Sequence, residues 1–314
     1  MLNTSFPIRK DLFGLRYVFF LGNEGGNCKY NCTFCEIGKS NAVTSEYNIE
    51  LFDGLFKDYK KKVNGEKNHP LIYNRGNITD EKAFSRRTLL HLLSHFNSIS
   101  NITHVSLNSR EQEVTKEFIE FIFKINLSYP IHFILGQESF SSLTHHTIGK
   151  NSNGEFNRLV SKLIPFNEKK YLQKNKNYNY GIDCNLLFLP ELYIGKENRN
   201  QHSKEIAVGF IEDINNTLKY SSPQVPLTIN INPFYKVKSL PFKNADINQL
   251  LDLLPLIMEL VNKHNKERKH KITVFIGFRG IKTGNKQIDL KIDRWNNIFN
   301  LFNENNKLYE TSEN

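Results

Sequence analysis

Three of the four cysteines in this 314-residue chain are concentrated in one short segment, CKYNCTFC. They are Cys28, Cys32 and Cys35, separated by three and then two residues. Closely spaced thiolates bind zinc or iron–sulfur clusters. A structural zinc site normally uses two separated ligand pairs, and we expect no second C-x2-C or H-x3-H pair to follow this segment. Four cysteines are also too few for a disulfide framework in a chain of this length.

Three thiolates can hold three irons of a [4Fe–4S] cluster and leave the fourth iron open to another ligand. An iron with an open coordination position is a reaction site rather than a simple electron carrier. Glycines surround the cysteines at positions 22, 25, 26 and 38. We expect these glycines to let the loop wrap around the cluster, with their backbone amides directed toward the sulfur atoms.

The chain is basic, with 42 Lys and Arg residues against 32 Asp and Glu residues and a formal net charge of +10. Such an excess can mark a nucleic-acid surface, because basic side chains neutralise phosphates. Runs such as KDYKKK are equally typical of solvated helix surfaces. The first residues lack an apolar signal region, and the apolar stretch at 250–261 is too short to span a bilayer. The sequence therefore predicts a soluble cytoplasmic protein without membrane contact.

Strand-like apolar segments alternate with amphipathic helix-like segments along most of the chain. Strands are predicted at 16–22, 71–77, 103–109, 131–139, 180–189, 226–234 and 271–278. Helices are predicted at 46–62, 81–98, 113–125, 155–173, 203–219, 246–265 and 288–303, with Asp80 as the candidate N-cap of the second helix. Six consecutive strand–helix repeats indicate a parallel sheet with right-handed crossover connections.

The polarity of the strands separates an open doubly wound sheet from a barrel. Both faces of a covered parallel sheet are normally apolar, whereas several strands here carry a polar row on one face. These rows include His104, Ser106 and Asn108, then Asp183 and Asn185, then Asn230 and Asn232. They suit a lumen that holds a polar ligand. The predicted fold class is therefore α/β, a partial (β/α)6 TIM-like barrel with a C-terminal α/β extension.

The cysteine loop follows the first predicted strand and so lies at the C-terminal mouth of the barrel, where active sites of such barrels occur. The motif CKYNCTFC resembles the cluster motif of the radical S-adenosylmethionine (SAM) superfamily. Cys28, Cys32 and Cys35 match its three cluster ligands, and Phe34 matches the aromatic residue that usually precedes the last cysteine. We predict a single radical SAM domain over residues 1–314, with a core at about 15–235 and an extension at about 236–314.

The resemblance implies that SAM chelates the fourth iron through its amino and carboxylate groups. One electron from the cluster then cleaves SAM to methionine and a 5′-deoxyadenosyl radical, which takes a hydrogen atom from the substrate. The cofactors implied are a [4Fe–4S] cluster and SAM, and the implied partner is a reductase such as flavodoxin or ferredoxin. The family's six-stranded partial barrel agrees with the repeat count obtained from the sequence pattern.

Further segments are similar to SAM-binding segments of the superfamily, some of them to the subgroup of the Elongator catalytic subunit and the tRNA methylthiotransferases. They are YNRGN, LNSREQ, LGQES and NLLFLPEL, and the contacts they imply come from Asn74, Gly76, Asn77, Asn108, Arg110, Gln137, Glu138 and Asn185. Some of these residues also have a purely structural interpretation. Asn74 and Asn77 can be turn residues. Glu138 can neutralise Arg110. Cys184 is expected to be a buried small residue, with a second catalytic thiol as the alternative.

The substrate remains open between two classes. A small polar metabolite or peptide would be held by barrel residues and by Arg279 and Lys282 of the GFRGIKTG segment. A tRNA would be gripped by lysine-rich surfaces such as 60–62. A non-catalytic iron–sulfur sensor or electron carrier is an alternative of another class, which predicts that SAM leaves the cluster unchanged.

Overall fold

The structure is a computed structural model that describes residues 5–6, 10–30, 32, 41–63, 65–148, 150, 155–168, 171–173, 176–188, 202–233, 247–277 and 286–311. Four residues singled out from the sequence, Phe34, Cys35, Arg279 and Lys282, lie outside these ranges. Gly38 does so as well.

The described strands form one sheet in which seven strands follow one another in chain order. The strands are β1 (Ser5–Phe6), β2 (Lys10–Asp11), β3 (Gly14–Leu21), β4 (Asn68–Asn74), β5 (Val105–Ser109), β6 (Ile131–Glu138), β7 (Tyr180–Phe188), β8 (Leu227–Pro233) and β9 (Thr273–Ile276). Their order is β1-β3-β4-β5-β6-β7-β8-β9, and β2 pairs with β3. Strands β3 to β6 pair in parallel, as do β8 and β9, whereas β1 and β2 run antiparallel to β3.

Helices connect the strands. They are α1 (Ser45–Val63), α2 (Arg86–Phe96), α3 (Lys116–Lys124), α4 (Ser142–Thr147), α5 (Glu155–Asn167), α6 (His202–Tyr220), α7 (Ile247–Asn265) and α8 (Lys286–Thr311), with a 3-10 turn at Glu111–Glu113. Sequential parallel strands with helical connections are the topology of a partial β/α barrel, so the predicted fold class is confirmed. None of the described helices combines the length and apolar character that a bilayer crossing requires.

The seven predicted strands are all present, but several helix predictions need correction. Helix α2 begins at Arg86, and its N-cap is Ser85 rather than Asp80, with the Ser85 hydroxyl accepting from the Thr88 amide. Asp80 instead closes a separate turn, because its carbonyl accepts the amide of Phe84 at 2.8 Å. Helix α8 extends to Thr311, beyond the predicted end at residue 303. Strands β1 and β2 and helix α4 were not predicted.

The chain forms two compact units. The first comprises Met1–Asn31, Cys35–Leu135 and Ser161–Asp183, and the second comprises Cys32–Phe34, Gly136–Val160 and Cys184–Asn314.

In the first unit, α1 and α2 cover β3 through a cluster of buried aromatic rings. The ring of Phe19 on β3 lies 5.2 Å from Phe52 of α1 and 5.3 Å from Phe96 of α2, between ring centroids. Tyr59 packs against the same ring at 5.4 Å. Residues 52, 56, 59 and 63 recur at helical spacing, which explains why this face of α1 is the buried one. This packing fixes both helices against the strand that leads into the cysteine loop.

In the second unit, α8 satisfies backbone groups of β9, the last strand in the sheet order. The Asn296 side chain accepts from the Ile276 amide at 2.9 Å and donates to the Ile276 carbonyl at 3.0 Å. Asn303 makes the same pair of hydrogen bonds with Val274. An edge strand otherwise presents unpaired backbone groups to solvent or to other chains. The two asparagines therefore protect this edge.

Candidate functional site

The cysteine segment follows the carboxyl end of β3. Cys28 and Cys32 are both half-buried thiols, which is the exposure expected of ligands that enclose a group at a protein surface. Cys35 and Phe34 lie outside the described residues. The loop from Gly22 to Tyr30 is described throughout, so the contacts that hold it can be followed residue by residue.

The main anchor of this loop is the carboxylate of Glu24. It accepts hydrogen bonds from the Ser45 hydroxyl at 2.8 Å and from the Asn48 amide at 3.1 Å, both on α1. It also accepts from the Ser85 backbone amide at 2.9 Å and the Thr88 hydroxyl at 2.7 Å, at the start of α2. The carboxylate thus joins the amino-terminal ends of two helices, where negative charge is favourable.

These contacts alter the ionisation of Glu24. Burial alone would raise the pKa of the carboxyl, but the four hydrogen bonds from Thr88, Asn48, Ser45 and Ser85 lower its pKa below the ordinary value. Glu24 is therefore held as a carboxylate. Its position in GNEGG gave no sequence signal of this role, because the partners lie 21 to 64 residues away along the chain.

The loop glycines serve close packing rather than the expected donation toward sulfur. A Cβ at Gly22 would lie 2.5 Å from a Val43 methyl group, and one at Gly25 would lie 2.5 Å from the Lys82 carbonyl oxygen. The amide of Gly22 donates to the Asn48 side chain. The amides of Gly25 and Gly26 donate to the side chain and carbonyl of Asn23. The expectation that these three amides point toward the cluster is therefore wrong.

Two residues between the cysteines attach the loop to the segments that follow β4 and β5. The Lys29 ammonium lies 2.9 Å from an Asp80 carboxylate oxygen and 2.5 Å from Glu113. The Tyr30 hydroxyl donates to Glu113 at 2.5 Å. Arg110, predicted to contact SAM, places its guanidinium 4.4 Å from the centre of the Tyr30 ring. Arg110 thus borders the cysteine loop.

Charge and burial explain the pKa values of this pair. Burial would lower the pKa of Lys29, but its contacts with Glu113 and Asp80 raise its pKa overall. Burial and the hydrogen bond to Glu113 raise the pKa of Tyr30, so the phenol stays protonated and keeps donating. Lys29, Tyr30 and Glu113 were missed as site residues. Opposite charges in the cysteine motif and in the SREQE segment were the available signal.

The predicted SAM-binding residues on β4 and β5 are held together by amide hydrogen bonds. Asn108 accepts from the Asn74 backbone amide at 3.2 Å and donates to the Gly76 carbonyl at 3.1 Å. The Asn74 side chain accepts from the Gly76 amide at 3.1 Å. A Cβ at Gly76 would overlap the side-chain amide of Asn23, which explains the glycine there. The structure brings these residues together, and their contact with SAM stays a prediction.

Asn77 adopts the turn role that the sequence left open. Its side-chain oxygen accepts from the Thr79 amide at 3.2 Å and from the Thr79 hydroxyl at 2.7 Å. Asn77 is buried, and its Nδ2 has no hydrogen-bond partner among the described residues. This donor is therefore compatible with a bound polar group, since buried polar atoms are normally paired.

Gln137 and Glu138 at the end of β6 have different surroundings. Gln137 is fully buried, and its amide accepts from the Phe156 backbone and donates to the Ser139 carbonyl. Glu138 is half-buried, lies 3.6 Å from the Lys150 ammonium and has a left-handed backbone with φ of 64°. Such strain in a non-glycine residue is concentrated at functional sites. Of the two candidates, Glu138 is better placed to contact a ligand.

Asparagines on β7 and β8 form the other polar group that the sequence predicted. Asn230 donates to the Asn185 side-chain oxygen at 3.1 Å. Asn230 and Asn232 are buried, and the Oδ1 atom of each has no hydrogen-bond donor among the described residues. Because neither oxygen accepts a hydrogen bond from the other asparagine, a ligand role for Asn230 and Asn232 gains support.

Cys184 is fully buried, as predicted.

The expectation that no H-x3-H pair follows the cysteines is wrong, because such a pair lies on the surface of α2. His91 and His95 are one helical turn apart, and the His91 ring nitrogen Nε2 lies 2.8 Å from an Asp53 carboxylate oxygen on α1. One ligand atom from each of the three residues lies within 4.8 Å of the others. The H-x3-H spacing was the signal that would have identified this group.

No family model and no curated protein matches this chain. Solved structures do match, and SuiB from Streptococcus suis superposes with a TM-score of 0.51 at 14% identity over 81% of this chain and 48% of its own. The chain shares its fold with SuiB. SuiB bound to S-adenosylmethionine gives the same TM-score and identity, over 49% of its length. A radical SAM methyltransferase from Sphaerobacter thermophilus matches at 9% identity and a TM-score of 0.47, over 83% of this chain and 66% of its own.

This chain therefore spans two thirds or less of each of these structures. The described residues are consistent with the iron–sulfur cluster that the cysteine spacing predicts. Cys28 and Cys32 supply half-buried thiols on the loop that follows the first parallel strand, and their loop is fixed by Glu24, Lys29 and Tyr30. Thiolates are the ligands that iron–sulfur clusters require.

Proposed function

We propose that this chain is a radical SAM enzyme whose single catalytic domain has its core at about residues 15–235 and an extension at about 236–314. Cys28, Cys32 and Cys35 would hold a [4Fe–4S] cluster, as their C-x3-C-x2-C spacing on the loop after the first parallel strand supports. With SAM bound, the cluster would supply a 5′-deoxyadenosyl radical that abstracts hydrogen from a substrate. A flavodoxin- or ferredoxin-type reductase would provide the electron. A cytoplasmic location would suit both the enzyme and this reductase.

The role of the first unit is to keep the cysteine loop in place. Glu24 fixes the start of the loop to α1 and α2, and Lys29 and Tyr30 fix the region of Cys28 to the segments that follow β4 and β5. Phe34 is proposed as a cofactor-binding residue on the basis of its place directly before Cys35 in the motif. A preorganised loop matters because the three thiolates must meet one cluster without a large ordering cost.

The role proposed for the ends of β4 and β5 is to present polar groups to SAM. Asn74, Gly76 and Asn108 form a rigid amide network, which supports SAM contacts through the backbone of YNRGN. The buried Nδ2 atom of Asn77 supports a contact through its side chain. Arg110 borders the cysteine loop at Tyr30. We propose that Arg110 contacts SAM from this position.

From the resemblance of LGQES we propose that Glu138 contacts SAM, with Gln137 as the second candidate. Asn185 would contact the adenosine. The buried side-chain oxygens of Asn230 and Asn232 would accept hydrogen bonds from hydroxyl or amino groups of the substrate. These acceptors favour a small polar metabolite or a peptide over a substrate bound only through phosphates.

Formation of 5′-deoxyadenosine tests the proposed enzyme directly. Anaerobically reconstituted protein, reduced in the presence of SAM, should release this nucleoside. Cys28→Ala, Cys32→Ala and Cys35→Ala should each abolish release together with the cluster absorbance. Cys184→Ala is the matched control, because this buried cysteine lies outside the motif and should retain both. An iron–sulfur sensor or electron carrier would bind a cluster but form no nucleoside, which would refute the enzymatic proposal.

The substrate class is tested by binding and by charge reversal. The lysines at 60, 61 and 62 lie in the last turn of α1, and Lys60→Glu with Lys61→Glu and Lys62→Glu would weaken binding of bulk tRNA if it used this surface. We expect bulk tRNA binding to be unchanged by these variants and nucleoside release to be stimulated by a small-molecule or peptide fraction. Stimulation by tRNA that is lost in the variants would favour the tRNA-modifying alternative.

A further inference from the structure

Several buried histidines and one buried carboxylate lie together near the amino ends of the parallel strands, away from the strand ends that carry the cysteine loop. His69 is the second residue of β4, His104 immediately precedes β5, and Asp183 is in β7. Each is at most 1% exposed. Nothing in the proposed radical chemistry uses these residues, so their presence needs its own explanation.

The geometry brings potential metal ligands within reach of a single ion. One ring nitrogen of His69, one ring nitrogen of His104 and one carboxylate oxygen of Asp183 lie within 4.8 Å of one another. The ligand atoms of a tetrahedral zinc site, at bond lengths of about 2.0–2.1 Å, are roughly 3.3 Å apart. Side-chain movements on the order of 1 Å would therefore close the three ligands around an ion.

The carboxylate is oriented by neighbours in the way that metal-binding carboxylates usually are. Asp183 accepts from the Ser106 hydroxyl at 2.6 Å, and His132 Nδ1 lies 3.0 Å from its other oxygen. His132 Nε2 in turn lies 3.0 Å from the Tyr178 hydroxyl. Burial and the charge of Asp183 raise the pKa of Tyr178, so its phenol remains a donor. Hydrogen-bonded second-layer partners of this kind fix the geometry of metal ligands.

The same network assigns the protons. Ser106 has one hydroxyl proton, which it gives to Asp183, so the contact of 2.8 Å with His69 Nε2 requires the histidine to donate. Neutral His69 therefore carries its lone pair on Nδ1. Likewise, His132 donates from Nδ1 to Asp183 and accepts from Tyr178 at Nε2. An imidazole with a lone pair on one ring nitrogen is the form that binds metals.

A glycine maintains the space for this arrangement. A Cβ at Gly181, two residues before Asp183, would overlap the ring of His132. The His104 ring lies 3.8 Å from the His69 ring and 3.9 Å from the His132 ring, between centroids. Three imidazoles this close cannot all be protonated without strong repulsion. A buried carboxylate also requires a compensating positive charge, which a divalent cation would supply.

We propose that His69, His104 and Asp183 form a binding site for one zinc-like divalent transition-metal ion. Two imidazoles and a carboxylate are a ligand set suited to zinc and to neighbouring metals of the series. The ion would link the amino ends of β4, β5 and β7. Residues at that end of a β/α barrel act in stability rather than catalysis. The proposal is independent of the radical SAM function.

The competing account is a metal-free polar network. Arg16 on β3 is the register partner of His69 in the parallel pair, so both side chains leave the same face of the sheet. Its guanidinium is buried and could balance the charge of Asp183. This account predicts that no tightly held metal accompanies the histidines.

Metal analysis separates the two accounts, with zinc as the probe. The full chain and its Cys32→Ala variant would be loaded with zinc and dialysed against a chelator before elemental analysis. Loss of the cluster in Cys32→Ala removes competition from the cysteine motif. We expect about one retained zinc per chain in both proteins. Retention in neither protein, or in the unsubstituted chain alone, would overturn the proposal.

Variants then locate the ion. His104→Gln should lose the retained zinc, whereas His95→Gln is the matched control from the half-exposed surface group and should keep it. His132→Gln should retain zinc with roughly 10- to 100-fold lower affinity, the usual effect of removing an outer partner. Zinc retained equally by His104→Gln would also overturn the proposal.

If His104→Gln does not fold, cobalt-loaded Cys32→Ala protein decides by X-ray absorption. We expect the cobalt spectrum to show only nitrogen and oxygen ligands, together with scattering from imidazole rings. A sulfur ligand in that spectrum would refute the proposed site.

Discussion

Replacing Glu24 by glutamine tests how the cysteine loop is held. The carboxylate accepts from four donors, and two of them, the Ser85 backbone amide and the Asn48 side-chain amide, lie on different oxygens. The Ser85 amide cannot reverse its role by rotation as a hydroxyl can, and the Asn48 amide could do so only by flipping out of its two hydrogen bonds with Gly22. Whichever way the new amide is placed, its amino group therefore faces one N–H donor.

The expected loss follows from these contacts. Hydrogen bonds to a charged group contribute about 1.5–3 kcal/mol each, and a charge at a helix amino end adds about 0.3–1 kcal/mol. Losing one such bond with the charge predicts that Glu24→Gln lowers the free energy of unfolding by about 2–4 kcal/mol. For domains of somewhat smaller size, each kcal/mol shifts Tm by roughly 2–4 °C, so a fall on the order of 4–16 °C is expected.

The assay is thermal and denaturant unfolding of the cluster-free chain, followed by circular dichroism. Glu46→Gln is the matched control, because Glu46 is an exposed residue of α1 whose ion pair with Arg87 is also exposed. An exposed ion pair contributes about 0–1 kcal/mol, so its loss should change Tm little. Equal shifts for the two variants would refute the anchoring role of Glu24.

The pH dependence of this difference has a defined sign. Burial alone would raise the pKa of Glu24 in the folded protein. Hydrogen bonds from Thr88, Asn48, Ser45 and Ser85 outweigh burial and lower this pKa. The contribution of Glu24 is therefore fully present above the unfolded pKa of about 4.3 and is lost as the pH falls through the lower folded pKa. The stability gap between the unsubstituted protein and Glu24→Gln should shrink in that acidic range. A gap that grows with acidification would contradict this reasoning.

Four further substitutions test the packing and the site. Gly76→Ala should lower Tm and the yield of reconstituted cluster, because its Cβ would overlap Asn23, whereas Gly54→Ala, with open space around it in α1, should raise stability by roughly 0.5–1 kcal/mol in the same unfolding assay. A stabilising Gly76→Ala would show that the contact is absent. Cys184→Ala should keep the cluster spectrum and nucleoside release, and loss of release alone would make this thiol catalytic. Asn232→Leu should leave Tm unchanged or higher, because its buried oxygen lacks a donor in the described part of the chain, yet it should reduce substrate-stimulated nucleoside release. A marked fall in Tm would instead assign Asn232 a structural role.

The strands were predictable because each is a short segment with apolar residues on at least one face, bounded by polar residues or turns. Helix α2 was harder to delimit, since the apolar spacing from Phe84 onward gives no information on where hydrogen bonding begins. The capping contact of Ser85 decides it, and Asp80 belongs to a preceding turn that uses the same kind of residue. Local patterns therefore fixed the type of each element more reliably than its ends.

The candidate site was predictable only where its residues share one motif. The three cysteines are close in sequence, so their spacing was enough to indicate a cluster. The contact between Arg110 and Tyr30 joins residues 80 positions apart in the sequence, and that between Glu24 and Ser85 joins residues 61 apart. Such contacts depend on how strands and helices pack. The polar row of Ser106 and Asp183 was predicted, but the proton network that joins it to His69 was not.

The central claim is that SAM binds directly to a cluster held by the cysteine motif. Electron paramagnetic resonance of the reduced, anaerobically reconstituted protein, recorded with and without SAM, tests this claim most directly. We predict a [4Fe–4S] signal whose spectrum changes when SAM is added. A signal that SAM leaves unaltered, or a protein that holds zinc at these cysteines in place of iron, would contradict it.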